Sequence, residues 1–257
     1  MANNKIGITA EFVSIMREKN DPKNRYFVSS RGRRLYNAAR TVFSKKKIHE
    51  IFEWRLKLSK EFDKKINMEK PVQIIDLACG YSLRGFTLCL KDSNLVYVDS
   101  DLPAVISQKK AILDKMCCNE NIIFPKNYVL ISADVLRENL FQKFDGYLGS
   151  EKKTLITAEG LTSYFSLDEF SIFVRNMSSL LENFSSAEFY SHENIEQPKG
   201  FVYKFLREIF VSFLTRSQGR QGFSDEEEFK KYLTGLNTKF TIDTSKEGYL
   251  FYSLFKK

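Results

Sequence analysis

Val72–Phe86 reads V-Q-I-I-D-L-A-C-G-Y-S-L-R-G-F, and the reading of this stretch decides the fold. An apolar run ends in Asp76 and Leu77. Ala78, Cys79 and Gly80 follow, and a helical pattern begins after them. Small residues let a backbone approach a ligand closely, and the helix behind them offers free N–H groups. A first parallel strand opens onto a nucleotide-bearing cofactor in this way. The spelling is neither G-x-G-x-x-G nor G-x-x-x-x-G-K-[ST]. The same letters also suit a cofactor-free α/β turn.

Leu95–Lys110, L-V-Y-V-D-S-D-L-P-A-V-I-S-Q-K-K, extends the argument. Leu95–Val98 is expected as a second strand with Asp99 and Asp101 at its carboxyl end. Pro103 fits the first turn of the next helix. An acidic side chain about 20 residues beyond the glycine turn is where this architecture holds a ribose. A carboxylate accepts from both ribose hydroxyls; helix capping is the other use for one of the two aspartates.

Outward from these segments, strands are predicted at Val72–Leu77, Leu95–Val98, Tyr128–Ser132, Thr154–Ala158 and Ala187–Ser191. Helices are predicted at Ile8–Lys19, Ile48–Ile66, Leu83–Leu90, Pro103–Met116 and Leu167–Phe184. The alternation implies an α/β fold, a Rossmann-like, doubly wound and mostly parallel sheet. Residues 1–67 are expected as a helical region packing on a core of residues 68–257. A helical cap insertion at about 198–235 would carry helices Phe201–Thr215 and Asp225–Leu233 around the polar joint R-S-Q-G-R-Q-G. Strand-like runs Lys239–Asp243 and Tyr249–Phe255 flank a turn near Glu247-Gly248.

Composition narrows the class. A hydrophobic content of 43% over 257 residues gives a substantial core and argues against disorder. The start M-A-N-N-K-I-G-I-T-A lacks the apolar core of a signal peptide, and no apolar run is long enough to span a bilayer. Cys79, Cys89, Cys117 and Cys118 show neither C-x-x-C nor zinc spacing, so reduced thiols, a cytoplasmic location and no metal are expected. The net charge of +8 is dispersed, with concentrations at Arg31–Arg34 and Lys45–Lys47. A nucleic-acid groove needs clustered charge with interleaved aromatics, so an anionic small molecule suits this charge better.

Taken together, the segments resemble the leucine carboxyl methyltransferase family, which includes polyketide-type O-methyltransferases. The family's first motif, roughly L-G-x-G-x-D-T-R, stands here as L-A-C-G-Y-S-L-R, and V-D-x-P with its basic helix stands as D-L-P-A-V-I-S-Q-K-K. A-E-G-x-x-x-Y-L is matched by A-E-G-L-T-S-Y-F at Ala158–Phe165. A strand ending in aspartate and an apolar residue is matched by Val129–Val135. Ala78 replaces the first glycine, and Ser82-Leu83 replaces Asp-Thr. The resemblance implies S-adenosylmethionine as cofactor and a closing antiparallel hairpin.

It further implies that Ala78, Cys79 and Gly80 approach the cofactor and that Asp101, with Asp99 as the other choice, holds the ribose. Asp134 and Val135 would meet the adenine, and Glu159 would bind the cofactor's amino group or balance its sulfonium charge. Arg55, on the helix before the first strand, would pair with the methionine carboxylate. The acceptor would be a carboxylate or hydroxyl oxygen of a small molecule or terminal carboxyl group. It would lie under the Pro198–Gly235 segment, near Lys199, Lys204, Arg207, Arg216 and Arg220. A nucleic-acid methyltransferase and a non-catalytic S-adenosylmethionine-binding protein are the alternatives. A carboxylate needs no base, whereas a hydroxyl profits from one. His192, read as a loop start after the fifth strand, is the candidate base. Tyr164 is the candidate for orienting an oxygen, and His49 reads as surface.

Overall fold

In the computed structural model, which describes residues 13–15, 17–18, 22–42, 45–137, 139–193, 223–244 and 250–256, seven strands form one sheet. They are β1 (Gln73–Leu77), β2 (Val96–Asp101), β3 (Tyr128–Ser132), β4 (Thr154–Ala158), β5 (Ala187–Glu193), β6 (Lys239–Thr244) and β7 (Leu250–Phe255). Their order is β3-β2-β1-β4-β5-β7-β6, and β1 to β5 run parallel. β7 inserts antiparallel between β5 and β6, so the expected hairpin closes the sheet. β1 and β4 are buried along their whole length, as central strands covered on both faces must be. Edge strand β6 alternates exposed and half-buried positions and opens with Lys239.

The helices are α1 (Ser30–Val42), α2 (Lys45–Glu69), α3 (Arg84–Lys91), α4 (Pro103–Glu120), α5 (Leu140–Phe144), α6 (Leu167–Leu181) and α7 (Glu226–Gly235). Their ends follow local chemistry. Pro103 occupies the first turn of α4, and Asn121 ends that helix in the left-handed region. Ser166 and Glu169 form a reciprocal capping box at α6, and Asp225 accepts from the Glu228 N–H at α7. On one face of the sheet α6 buries Phe170, Phe173, Val174, Met177, Leu180 and Leu181 against β strands and Phe229 of α7. On the other face Leu58, Phe62 and Ile66 of α2, Phe86 of α3 and Leu113 and Met116 of α4 close a second core. None of the described helices is long and apolar enough to cross a membrane.

Three placements differ from the sequence reading. Helix α1 was not expected: its sequence, S-R-G-R-R-L-Y-N-A-A-R-T-V, is mostly polar and offers a short apolar repeat. β2 continues through Asp101, because Asp99, Ser100 and Asp101 still pair with Leu130, Ile131 and Ser132. Both aspartates therefore lie within the strand. β5 likewise reaches Glu193, because β7 offers Phe251 and Leu250 opposite His192 and Glu193. The predicted helix Phe201–Thr215, most of Ile8–Lys19 and the turn at Glu247-Gly248 lie outside the described residues.

Gly85, in the first turn of α3, sits directly on the Tyr97 ring. A Cβ there would meet ring atoms at 2.4 and 2.5 Å, and Tyr97 is fully buried. Alanine is normally the better helix former, yet here Gly85→Ala should destabilise by about 1–3 kcal/mol through overpacking. Urea unfolding checks this; an unchanged or raised midpoint would contradict the tight α3–β2 contact.

Candidate active site

The turn after β1 is held in an unusual backbone shape. Ala78 has φ +53° and Gly80 has φ +52°. For alanine the left-handed region costs roughly 1–2 kcal/mol, which the family's usual glycine would avoid. Neighbouring β2 secures the turn. The Cys79 N–H donates to the Ser100 carbonyl at 3.1 Å, and the Gly80 N–H donates to Asp101 Oδ2 at 2.8 Å. Asp101 Oδ1 accepts from the Leu102 N–H at 2.7 Å. Burial raises the Asp101 carboxyl above the usual range, and these two N–H groups oppose that rise. A carboxylate offers about four lone-pair sites, so acceptor capacity remains for ligand hydroxyls.

Asp99 stands differently from its expectation. It is fully buried, accepts from Lys109 Nζ at 2.6 Å and also receives the Tyr128 hydroxyl. One Asp99 oxygen is thus paired with an equally buried ammonium, whereas Asp101 is paired only with backbone N–H groups.

At the carboxyl end of β4, Glu159 draws cations from three segments. Arg84, opening α3, donates to its Oε2 at 2.7 Å, and Arg17 reaches its Oε1 at 3.4 Å. Arg55 of α2 lies against the next residue: a Cβ at Gly160 would stand 2.7 Å from Arg55 Nη1. Burial pushes the Glu159 carboxyl up, but Arg84, Arg17 and Arg55 outweigh it and hold it at about 2. Arg84 also donates to Asp63 at 2.7 Å and to Ser59 Oγ at 2.8 Å, and passes 3.8 Å from Asp76. Asp76 accepts from the Tyr97 hydroxyl at 3.1 Å and the Thr157 hydroxyl at 3.0 Å. Its burial, with Asp99 and Glu159 nearby and Arg84 opposing, leaves its carboxyl at about 6.

A cavity of about 550 Å³ opens between α2 and α3. Its lining includes Arg17, Arg55, Arg84 and Glu159, with Leu56, Leu83 and Leu88 supplying apolar walls. His49 also lines it, with its Nε2 3.9 Å from Glu53 on the next turn. The surface reading of His49 is therefore incomplete, since it is exposed but faces this opening.

The remaining expected residues are placed as follows. Asp134 follows β3 and accepts from the Leu136 N–H at 3.0 Å, an Asx turn, with Arg137 at 3.7 Å. Val135 is buried in the core, and its carbonyl accepts from Asn176 at 2.8 Å. Tyr164 ends a 3-10 helix, Thr162–Tyr164, and is half-buried. His192 is not at a loop start. It is buried within β5, its ring 6.2–6.4 Å from Phe62, Trp54 and Phe251, and its Nδ1 has no hydrogen-bond partner. Burial, reinforced by Arg55, lowers it to about 3, so an imidazole enclosed like this is a poor proton acceptor. Lys199, Lys204, Arg207, Arg216, Arg220 and the cap over residues 198–222 lie outside the described residues.

Sequence reasoning gave no role to Arg84, Arg17, Asp76 or Lys109. Arg84 had a signal, because it matches the arginine that closes the family's first motif. Lys109 had another, because it falls on the apolar stripe Val105, Ile106, Leu113 and Met116 of α4. Among the described residues no cluster of His, Cys, Asp and Glu could hold a metal ion.

A model of the leucine carboxyl methyltransferase family matches residues 16–178. An S-adenosyl-L-methionine-dependent methyltransferase, dpfgK, from Gibberella zeae is 24% identical over 169 residues, covering 65% of this chain and 53% of the relative. The chain thus spans about half the length of that relative. Among solved structures, an O-methyltransferase family protein from Burkholderia thailandensis superposes with a TM-score of 0.53 at 12% identity, covering 91% of this chain and 62% of the other. PigF with SAH superposes with a TM-score of 0.51 at 13% identity, covering 73% and 51%. At such identities the likeness shows the shared Rossmann-like methyltransferase fold.

The buried histidine has a consequence for stability. Unfolded, His192 takes a proton below its ordinary value of 6.5, whereas the native imidazole stays neutral down to about 3. Stability from this group is therefore lost as pH falls through that window. Asp76 acts in the opposite sense: native, it keeps its proton up to about 6 rather than 3.8, so its contribution is lost as pH rises over that interval. The histidine's share is isolated by His192→Gln. Between about pH 4 and 6 the stability difference, parent minus variant, should grow by roughly 1.4 kcal/mol per pH unit as pH rises. Urea titrations of both proteins check it, and a pH-independent difference would contradict a neutral buried His192.

Proposed function

This chain belongs to the leucine carboxyl methyltransferase family, and on that premise we propose that it is an S-adenosylmethionine-dependent O-methyltransferase. The observation that carries the reading is the gathering of Arg84, Arg17 and Arg55 around Glu159, beside the turn Ala78–Gly80 and the carboxylate of Asp101. The match to dpfgK supports the choice of cofactor.

The residues present fit such a cofactor. Arg17 carries donors beyond the one used on Glu159, Arg55 stands beside Gly160, and both guanidinium groups suit a carboxylate by two-pronged contact. Glu159 offsets part of their charge and would face an ammonium or sulfonium group. Asp101 would accept ribose hydroxyls, and Asp134 with Val135 would border the adenine. The cofactor supplies an activated methyl group; the protein aligns the attacking oxygen and keeps water out.

The acceptor is read as a carboxylate oxygen of a small molecule or terminal carboxyl group, in a cytoplasmic setting. Such a nucleophile needs no base, which agrees with the enclosed His192. A hydroxyl acceptor is the second reading, favoured by His49 at the cavity beside Glu53. Tyr164 would orient the oxygen in either case.

Calorimetry should detect S-adenosylmethionine and S-adenosylhomocysteine, and NAD binding more tightly than either would overturn the cofactor reading. Asp101→Ala should weaken S-adenosylhomocysteine by about 1–3 kcal/mol. Methyl transfer from labelled cofactor to a panel of carboxylic acids and phenols tests the acceptor class. With a carboxylate acceptor, His49→Gln and His192→Gln should both leave turnover within a few-fold. With a hydroxyl acceptor, His49→Gln should lower it by about 10²-fold.

A further inference from the structure

Lys109 occupies a place where stability alone does not account for it. It lies on the buried stripe of α4 between Ile106 and Leu113, and its side chain is fully enclosed. Its ammonium donates to Asp99 at 2.6 Å, and the Tyr128 hydroxyl reaches the same carboxylate. The second Asp99 oxygen, Oδ1, has no hydrogen-bond partner. Buried ion pairs lose so much hydration that apolar residues of equal volume often stabilise as well or better.

What the pair does reach is the cofactor turn. Lys109 Nζ lies 3.4 Å from Sγ of Cys79, the middle residue between Ala78 and Gly80. The turn is then held at three points. The Cys79 N–H is fixed on Ser100, the Gly80 N–H is fixed on Asp101, and the Cys79 side chain is fixed on Lys109. The first two come from β2, and the third comes from the helix that follows it. A backbone carrying an alanine at φ +53° needs such restraint, because the residue itself prefers another conformation.

We propose that Lys109, held by Asp99, is a positioning residue that clamps the Cys79 side chain and so keeps the Ala78–Gly80 backbone shaped for the cofactor. The proposal rests on the S-adenosylmethionine reading. It separates cofactor affinity from fold stability, which a merely structural ion pair would not do.

The test is the charge-neutral double variant Asp99→Asn/Lys109→Met, which removes both buried charges at similar volume. It should fold, judged by circular dichroism and a cooperative melt, while its Kd for S-adenosylhomocysteine rises by about tenfold or more. Leu113→Ala, on the same helix, is the control for general softening. It should lower the melting temperature yet keep the parental Kd at a temperature where it is fully folded. Equal loss of affinity in the control, or a double variant within twofold of the parent, would overturn the clamp. If the double variant does not fold, Cys79→Ala removes the anchor and leaves the ion pair intact; unchanged affinity there overturns the proposal. A parent chain that binds no S-adenosylhomocysteine would sink the cofactor reading and the clamp with it. Binding by parent and variants alike would sink the clamp alone.

Discussion

The guanidinium of Arg84 is the interaction on which the active edge depends. Arg84 is the first residue of α3, so it enters from the glycine turn and ends among Glu159, Asp63, Ser59 and Asp76. These partners lie just after β4 and on α2 and β1. One side chain thus ties the turn, the central strands and the amino-terminal helix together. Burial works against its charge, yet Glu159, Asp63 and Asp76 hold it protonated more firmly than an arginine in water. Without it, Asp76 would keep only its hydroxyl partners Tyr97 and Thr157, and Glu159 would rely on Arg17 and Arg55; a buried carboxylate that loses its ion-pair partner is costly.

The same arrangement extends across the sheet. Asp76 and Asp99 are register partners on β1 and β2, and their side chains share the face that carries α2, α3 and α4. Lys109 neutralises one end of this row and Arg84 the middle, while Arg17 and Arg55 surround Glu159 at the other end. Glu159, with Arg17 and Arg84 on it, lies just beyond the carboxyl end of β4, the side of the strands where open α/β sheets bind their ligands.

Much of this was legible in the sequence, and the shortfalls have physical causes. β1 was readable because an apolar run ended in small residues, and α6 because Phe170, Val174 and Met177 repeat at helical spacing behind a capping box. The end of β2 was misjudged because strand pairing continued into charged residues that local pattern assigns to a loop. His192 was misread for the same reason: β7, distant in sequence, supplied its partner strand and Phe251, while α2 supplied Phe62 and Trp54. Arg17 could not be seen, since nothing near it in the chain marks its approach to Glu159, 142 residues away. Long-range charge pairing leaves no local period.

The two cores on opposite faces of the sheet have an evolutionary consequence. The core built on α6 and α7 consists of apolar side chains such as Phe170, Phe173, Met177 and Phe189, whereas the charged row lies with the other core. Apolar packing tolerates coordinated exchange at constant volume, but a buried charge row tolerates change only when partners change together. Sequence drift should therefore be fast on the α6 side and slow on the α2–α4 side. Divergent descendants of this chain would then keep a legible cofactor face long after the opposite face had become unrecognisable.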